Sequence, residues 1–254
     1  MKVEDCKAIV SGGASGLGEA VIRLIAAKGG SAAILDRDAA KGEALAKELG
    51  RSVVYCHCDI RDEGQVKHAL ESALEHFKRI DALINCAGIV IGRKVMGRSG
   101  LHDLESFERV IGVNLIGTFN LVRLAAEKMT ANVRNGDGER GVIINTASIA
   151  GFEGQIGQAA YSASKAGVAG LTLPLAREFA IHGIRVMTIA PGLFDTPMFA
   201  SLPEEARGEL GSSVPFPSRL GKPAEYAGLV KAILENPMLN GEIIRLDGAV
   251  RLMP

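Results

Sequence analysis

The stretch Ser11-Gly12-Gly13-Ala14-Ser15-Gly16-Leu17-Gly18 decides the fold of this chain of 254 residues. A short aliphatic run precedes it, and an amphipathic segment that predicts a helix follows it. Gly12 permits a sharp turn, Gly16 lets the backbone N–H groups at the helix start approach an anion, and Gly18 allows the helix to pack closely on the strand. Strand, glycine-rich turn and helix in this order are typical of a phosphate-binding βαβ unit.

Outside that stretch, short apolar runs alternate with amphipathic segments, which is the order of βαβ units in a parallel sheet. We therefore predict an α/β fold in which residues 1–254 form a single domain, with a seven-stranded parallel sheet and helices on both of its faces. The predicted strands span residues 6–11, 31–36, 52–58, 80–85, 141–148, 184–190 and 242–246. The predicted helices span residues 16–28, 38–49, 62–77, 104–130, 161–182 and 223–235.

The composition is that of a globular protein, with 47% hydrophobic and 23% charged residues. The 29 Lys and Arg residues balance the 29 Asp and Glu residues, so the net charge does not attract polyanions and nucleic acid is not expected as a partner. No run approaches the ~18 uninterrupted apolar residues of a membrane span, so no membrane association is expected. Four cysteines are too few for a disulfide framework and no targeting segment is legible, so we expect a cytoplasmic protein.

The end of the second predicted strand indicates which dinucleotide the glycine-rich turn would bind. Asp36 ends that strand, and a carboxylate there can accept hydrogen bonds from the adenosine ribose hydroxyls and repel a 2′-phosphate. We therefore predict NAD as the cofactor, although the neighbouring Arg37 is able to pair with a 2′-phosphate and weakens the preference. The alternative is an ordinary tight turn with Asp36 as a solvated strand end.

Two further strand ends fall on the same predicted edge of the sheet. Asp59-Ile60 follows the third strand, and Asn85-Cys86-Ala87-Gly88 follows the fourth. Ligands of open parallel sheets bind outside the carboxyl ends of the strands, so these residues are predicted to line the same crevice. Asp59 would accept a hydrogen bond from the adenine amino group while Ile60 packs on the ring. The alternative for Asp59 is a cap for the helix that starts near residue 62.

A hydroxyl, a phenol and an amine are also predicted at that edge. Tyr161 and Lys165 lie four residues apart on one face of a helix start, and Ser148 ends the fifth strand. Hydride transfer from an alcohol to nicotinamide requires removal of the hydroxyl proton, and a phenol is a poor base at neutral pH unless a positive charge lies beside it. Lys165 would supply that charge and hold the nicotinamide ribose, and Ser148 would orient the substrate oxygen. Asn114, a polar residue in an apolar stretch, either links Lys165 to solvent through water or caps a local kink.

These motifs stand in one order along the chain: Gly12-xxx-Gly16-x-Gly18, Asn85-x-Ala87-Gly88, Asn114, Ser148, Tyr161-xxx-Lys165 and Pro191-Gly192. In this order they resemble the short-chain dehydrogenase/reductase family, and the likeness covers the whole chain. The resemblance implies a doubly wound, Rossmann-like sheet and commonly a homotetramer. It also implies that Tyr161 is the catalytic base and that Asn114, Ser148 and Lys165 complete a catalytic tetrad.

Residues 140–148, 152–165, 189–194, 215–221 and 240–248 are similar to one subgroup, the type 2 3-hydroxyacyl-CoA dehydrogenases, also called 17β-hydroxysteroid dehydrogenase type 10. The similarity implies an NAD-dependent oxidoreductase of fatty acid metabolism that interconverts a 3-hydroxyacyl-CoA and a 3-oxoacyl-CoA. Two alternatives stay open: a dehydrogenase of a steroid or other apolar secondary alcohol, and a non-catalytic NAD-binding regulatory protein. The cofactor-binding set that the motifs and the resemblance imply is Gly12, Ser15, Gly16, Leu17, Gly18, Asp36, Asp59, Ile60, Asn85, Cys86, Ala87, Gly88, Tyr161, Lys165, Pro191, Phe194 and Thr196.

The connection over residues 191–222 contains five prolines and is long for a compact domain, which predicts a substrate lid. Its predicted apolar face consists of Phe194, Met198, Phe199 and Leu202, and the predicted substrate-binding residues are Ser148, Tyr161, Met198 and Phe199. A basic cluster, Arg93, Lys94 and Arg98, is predicted either to meet the phosphates of coenzyme A or to form a solvated loop. No metal site is predicted, because Cys56-His57-Cys58 lacks a second pair of ligands.

Overall fold

Seven of the apolar runs form one parallel sheet with helices on both faces, which confirms the predicted fold class. The computed structural model describes residues 1–98, 100–197 and 203–254 of the chain. The strands are β1 (Lys7–Ser11), β2 (Ser31–Asp36), β3 (Val53–His57), β4 (Ala82–Asn85), β5 (Gly141–Thr146), β6 (Ile184–Pro191) and β7 (Ile243–Leu246). Their order across the sheet is β3-β2-β1-β4-β5-β6-β7.

The helices follow the strands in alternation, as expected for a doubly wound sheet. They are α1 (Gly16–Ala27), α2 (Ala39–Leu49), α3 (Glu63–Phe77), α4 (Leu104–Ile111), α5 (Thr118–Met129), α6 (Ala159–Phe179), α7 (Glu204–Ser212) and α8 (Pro223–Glu235).

Alternation of side chains along each strand divides the apolar residues between two cores. On β1, Ala8 and Val10 belong to one core and Ile9 belongs to the other. The first core packs the sheet against α1, α2 and α8, and the second packs it against α3, α5 and α6. Both faces of the sheet are therefore covered, and its carboxyl edge is the place where loops from several strands meet.

The predicted single helix over residues 104–130 is wrong. α4 and α5 are separated by a π-helical turn, Gly112–Gly117, in which the Thr118 hydroxyl donates to the Asn114 carbonyl oxygen at 2.7 Å. The combined segment Leu104–Met129 is long and apolar enough to cross a bilayer by length and composition, and 56% of its most apolar 18-residue window is buried inside the fold. Burial against the sheet accounts for this composition.

The predicted end of the fifth strand is wrong, and the structure contains two elements that the sequence did not predict. β5 ends at Thr146, so Ser148 lies beyond the strand and caps a 3₁₀ turn, Ile149–Gly151. The connection over residues 191–222 contains α7, which its polar sequence does not indicate. A short antiparallel hairpin, Met96–Gly97 with Gly100–Leu101, lies within the connection after β4.

Candidate active site

The glycine-rich turn lies at the carboxyl end of β1, against the segment that follows β4. Gly12 has a φ of +64°, and a Cβ there would come within 2.7 Å of the backbone N of Ala87. A Cβ on Gly18 would lie 2.2 Å from the carbonyl oxygen of Gly12. Close approach of backbone therefore requires glycine at both positions.

The first turn of α1 opens toward this edge of the sheet. Ser15 is the N-cap residue, but its side chain makes no capping hydrogen bond. The N–H groups at the start of α1 therefore lack partners within the helix and carry the positive end of its dipole. The Cβ position of Gly16 lies 3.4 Å from Pro197 and 3.5 Å from Thr196, so the loop after β6 closes over the helix start. This arrangement suits an anion such as a pyrophosphate.

Asp36 lies beside the turn, at the end of β2. Its carboxylate accepts hydrogen bonds from the backbone N–H of Ala14 and of Asp38, each at 3.1 Å. The Tyr55 hydroxyl donates to the Asp36 carbonyl oxygen at 2.9 Å. Both carboxylate oxygens are thus fixed at the rim of the glycine turn, where a second anion would be repelled.

Asp59 is held by a neighbouring guanidinium. Arg61 Nη2 donates to Asp59 Oδ2 at 2.6 Å, Arg37 Nε lies 3.9 Å from the same oxygen, and the Arg61 hydrogen bond lowers the pKa of Asp59. The alternative in which Asp59 caps the next helix is wrong, because Asp62 is the cap of α3 and accepts from the Gln65 N–H at 3.0 Å. Ile60 is buried in the core between α3 and α5.

The end of β4 is supported by a buried polar ladder. Asn85 Nδ2 donates to Asn145 Oδ1 at 2.9 Å, and the Ser11 hydroxyl donates to Asn85 Oδ1 at 3.3 Å. Ser11 Oγ also accepts from the Ala87 N–H at 3.3 Å. The Asn85 side chain therefore faces neighbouring strands and fixes the backbone of residues 86–88.

Ser148, Tyr161 and Lys165 come together beyond the ends of β4 and β5. Lys165 Nζ is buried, lies 5.8 Å from the centre of the Tyr161 ring, and donates to the Thr146 carbonyl oxygen at 2.7 Å. Burial lowers the pKa of Lys165 to about 8. Burial raises the pKa of Tyr161, and the nearby Ser148 hydroxyl offsets part of that rise. The structure thus brings together the three groups that the sequence singled out.

Asn114 lies in the π-helical turn and connects two parts of the site. Its Oδ1 accepts from the Ile89 N–H at 2.8 Å, and its Nδ2 donates to the Ile89 carbonyl oxygen at 2.9 Å and to Ser164 Oγ at 3.0 Å. Ser164 in turn donates to the Tyr161 carbonyl oxygen at 2.7 Å. A Cβ on Gly88 would lie 3.4 Å from both Asn114 Oδ1 and Lys165 Nζ. Asn114 therefore ties the segment after β4 to the first turn of α6.

Sequence reasoning missed two polar residues behind the lysine, Thr146 and Tyr226, which contact the predicted residue Cys86. Thr146 Oγ1 and the Tyr226 hydroxyl lie 2.7 Å apart, and the Cys86 thiol contacts both oxygens at 3.7–3.8 Å. Tyr226 is fully buried on α8. Only the position of Thr146 at a strand end could have drawn attention to it, because the contact with Tyr226 joins residues distant in sequence.

The first residues of the connection after β6 contact its last residues. Phe194 is 5% exposed, and a Cβ on Gly221 would lie 2.8 Å from its ring. The backbones of residues 193–195 and 221 are joined by two hydrogen bonds of 2.8 Å. Met198, Phe199 and Leu202 lie outside the described residues.

The basic cluster divides into two kinds of residue. Arg93 Nη1 pairs with Asp103 Oδ2 at 2.5 Å, and the Arg93 N–H donates to the Gly157 carbonyl oxygen at 2.7 Å. Lys94 and Arg98 are exposed. The cluster adjoins the loop that leads to Tyr161, and Arg93 serves to fix the two loops together.

The family of the chain follows from comparison with known proteins. The model of a family described as short chain dehydrogenase matches residues 7–207. The chain belongs to the short-chain dehydrogenase family. This confirms the resemblance predicted from the motifs and makes the protein an oxidoreductase.

Members of this family with similar sequences cover the chain almost completely. Human 3-hydroxyacyl-CoA dehydrogenase type-2 is 55% identical over 254 residues, which are 99% of this chain and 97% of that protein. The crystal structure of 3-hydroxyacyl-CoA dehydrogenase type-2 from Mycobacterium avium has a TM-score of 0.95 at 44% identity, covering 99% of this chain and 98% of that chain. The 3-ketoacyl-(acyl-carrier-protein) reductase from Brucella melitensis, solved in complex with NADH, has a TM-score of 0.87 at 30% identity, covering 99% of this chain and 100% of that chain.

The residues of this short-chain dehydrogenase fit NAD. The backbone of Gly12 and Gly18 leaves no room for a Cβ, and the open start of α1 offers N–H donors to a pyrophosphate. Asp36 stands at the rim with its carboxylate fixed. A dinucleotide without a 2′-phosphate requires N–H donors for its pyrophosphate and an acceptor for its ribose hydroxyls. The start of α1 supplies the donors, and Asp36 supplies the acceptor.

Proposed function

We propose that this short-chain dehydrogenase uses NAD to interconvert a 3-hydroxyacyl-CoA and the corresponding 3-oxoacyl-CoA. The observation that carries the proposal is the grouping of Ser148, Tyr161 and the buried Lys165 at the sheet edge that also holds the open start of α1. The substrate class comes from relatives that share up to 55% of their residues with this chain and are named 3-hydroxyacyl-CoA dehydrogenase type-2.

Tyr161 is assigned as the proton-transfer group. During oxidation it accepts the hydroxyl proton of the substrate, and during reduction it returns that proton to the oxygen. Bound NAD supplies the hydride acceptor. Ser148 Oγ accepts from the Ala150 N–H at 3.1 Å, which leaves its own proton free to bind the substrate oxygen. Ser148 and Tyr161 therefore hold one oxygen between them.

Lys165 provides the charge that the phenol needs. Burial disfavours the phenolate, so a neighbouring cation must offset that effect for Tyr161 to accept a proton at neutral pH. The Lys165 ammonium is the group placed to do so. Because its pKa is lowered to about 8, the ammonium persists at neutral pH and is lost as the pH rises above that value. Asn114 is assigned as the residue that positions Tyr161 and Lys165 through Ser164 and Ile89.

The cofactor is assigned to residues from each strand end. Ser15, Gly16, Leu17 and Gly18 meet the pyrophosphate, with Gly12 making room for it, and Asp36 binds the adenosine ribose. Asp59 and Ile60 are assigned to the adenine. The remaining contacts are assigned to Asn85, Cys86, Ala87, Gly88, Tyr161, Lys165, Pro191, Phe194 and Thr196. Because Tyr161→Phe removes only one hydroxyl from this large set of contacts, we expect the variant to retain dinucleotide binding.

The acyl-CoA is assigned to the open side of the site. The connection over residues 191–222 is assigned as the lid over the acyl chain, and exposed Lys94 and Arg98 are assigned to the coenzyme A phosphates. The variant Lys94→Ala/Arg98→Ala is expected to raise KM for the thioester without changing KM for NADH. An unchanged thioester KM would remove these two residues from the assignment.

The assembly and location belong to the same proposal: a homotetramer in the cytoplasm. Ile116 in the π-helical turn, Phe119 in α5 and Leu173 in α6 are exposed apolar side chains, which supports association through these helices. The four cysteines are free thiols, which is compatible with a reducing compartment. Light scattering of the purified protein measures the number of subunits.

The decisive assay follows NADH absorbance at neutral pH with acetoacetyl-CoA as substrate. We expect rapid oxidation of NADH, slow oxidation of NADPH, and a fall in kcat on the order of 10³-fold in Tyr161→Phe with NADH binding retained. A ketosteroid run in parallel tests the apolar-alcohol alternative. Turnover of the ketosteroid alone would replace the substrate class, and tight NADH binding without turnover of either substrate would favour a regulatory protein.

A further inference from the structure

Four charged residues form one ionic network between the end of β7 and the loop that follows Ser148. Arg245, on β7, contacts Glu153 Oε1 through Nη1 and Asp247 Oδ2 through Nε, each at 2.7 Å. Arg251 contacts the same two oxygens at 3.2 Å. The side chains of Glu153 and Asp247 are only 20% and 9% exposed, so these pairs are less screened than surface ion pairs. Glu153 thus anchors two guanidinium groups.

The network holds residues 250–253 against the loop that follows Ser148. Glu153 Oε2 accepts from the Leu252 N–H at 3.1 Å, and Gln155 Nε2 donates to the Met253 carbonyl oxygen at 3.1 Å. Beneath these contacts Val250, Ile149 and Val214 form a small apolar cluster that Leu193 joins. Leu193 and Val214 belong to the connection assigned as the lid.

The loop held in this way carries Ser148 and touches α6. Ser148 Oγ accepts from the Ala150 N–H, and the Glu153 N–H donates to the Ile149 carbonyl oxygen at 2.9 Å. A Cβ on Gly151 would come within 2.9 Å of the Ala166 N, so the turn rests directly on the α6 backbone beside Lys165. The loop therefore connects Glu153 both to Ser148 and to the α6 backbone.

We propose that Glu153 is a positioning residue, which holds residues 250–253 on the Ser148 turn through Arg245 and Arg251 and so sets the relative placement of Ser148 and Tyr161. The inference rests on the proposed function. The hydrogen bond from Arg245 lowers the pKa of Glu153, so this carboxylate keeps its charge to a lower pH than an ordinary glutamate does.

The test is Glu153→Gln, which retains the shape of the side chain and removes its charge. We expect kcat with acetoacetyl-CoA to fall on the order of tenfold while Kd for NADH stays within about twofold. A chain ending at Val250, which lacks Arg251 and Leu252, should show the same loss. Arg23→Gln is the matched control, since Arg23 also bonds two carboxylates, those of Glu19 and Glu48, and should leave kcat unchanged.

Hydrogen exchange gives a second readout that needs no substrate. Amides of residues 149–153 should exchange faster in Glu153→Gln and in the shortened chain than in the wild type or Arg23→Gln. Unchanged kcat in folded Glu153→Gln overturns the proposal, and so does a loss of kcat matched by an equal rise in Kd for NADH. If the wild type fails to turn over the thioester, the proposed function fails, and exchange at residues 149–153 alone decides whether Glu153 holds the turn.

Discussion

Burial acts on the two titrating residues of the site in opposite directions. It raises the pKa of Tyr161 and lowers that of Lys165 to about 8, so in both cases it favours the neutral form. The amine keeps one strong hydrogen bond, to the Thr146 carbonyl oxygen. The protein therefore holds a charge at Lys165 at a cost to its own stability, which is measurable.

Lys165→Met should reveal that cost through its pH dependence. The lysine titrates at about 8 in the folded enzyme and near 10.5 when unfolded, so the unfolded state binds more protons in this window and wild-type stability rises with pH across it. Relative to the variant, the wild type should gain up to about 3 kcal/mol between these pH values. Urea unfolding at a series of pH values measures this difference, with exposed Lys231→Met as the control. A difference that is flat with pH would contradict the buried ammonium.

Asp36 should set the choice between the two nicotinamide dinucleotides. Asp36→Ser removes the charge that repels a 2′-phosphate and leaves Arg37 in place, so kcat/KM with NADPH should rise and that with NADH should fall, changing their ratio by at least about tenfold. Asp38→Ala is the control, because Asp38 caps α2 and should cost about 1 kcal/mol of stability without altering the ratio. An unchanged ratio in Asp36→Ser would separate Asp36 from the ribose.

Among the elements, α1 and α6 contain glycine for different reasons. A Cβ on Gly18 in α1 would collide with the carbonyl of Gly12, whereas nothing lies within 4 Å of a Cβ on Gly170 in α6. The first glycine is required by packing of helix on turn. The second only weakens its helix, because glycine loses more conformational freedom on folding than alanine does.

Paired alanine substitutions should separate the two. Gly170→Ala should stabilise the protein by ~0.5–1 kcal/mol in thermal or urea unfolding. Gly18→Ala should weaken NADH binding by at least about tenfold, because the turn must move away from its place at the sheet edge. NADH binding that is as strong in Gly18→Ala as in Gly170→Ala would show that the collision at Gly18 is relieved by movement elsewhere.

Prediction from sequence succeeded for elements that are specified locally. The helix over 223–235 was predicted in full because Pro223 begins it and apolar residues recur along it. The start of α3 was also predicted, because Asp62 is a typical N-cap residue. The π-helical turn around Asn114 could not be predicted, since it accompanies hydrogen bonds with Ile89 and Ser164, which come from other elements. α7 was missed because its sequence has hardly any apolar face.

At the scale of the whole molecule, the Glu139 carboxylate is buried at the sheet edge opposite the site and pairs with two cations, Arg185 and the Met1 ammonium. Glu139 and Arg185 are joined at 2.7 Å, and Arg185 also donates to the carbonyl oxygens of Leu234 and Leu239. Arg185→Met would leave the buried Glu139 carboxylate paired with the Met1 ammonium at 3.2 Å, so the loss of stability should be at most about 3–5 kcal/mol, the cost of a buried charge that has lost its partner. Urea unfolding should show this loss, and exposed Arg23→Gln should cost less than about 1 kcal/mol. A cost below that of Arg23→Gln would contradict the importance of burial.

The residues of the site were predictable to the extent that they belong to motifs. Tyr161, Lys165 and Ser148 were found from spacing and placement at strand ends. Thr146 and Glu153 were not found, because their partners Tyr226 and Arg245 are far along the chain and neither pair has a local signature. Sequence patterns therefore locate the reacting groups, and the contacts that hold those groups emerge only in three dimensions.

The neighbours of the glycine turn also bear on how the protein is made. Gly12 rests on Ala87 beyond β4, and Gly16 lies under Thr196 beyond β6. A chain emerging from the ribosome thus possesses its phosphate-binding turn early but acquires the walls around it only after most of its length has been synthesised. The dinucleotide can consequently bind only late in synthesis, and its binding stabilises completed chains and not partial ones.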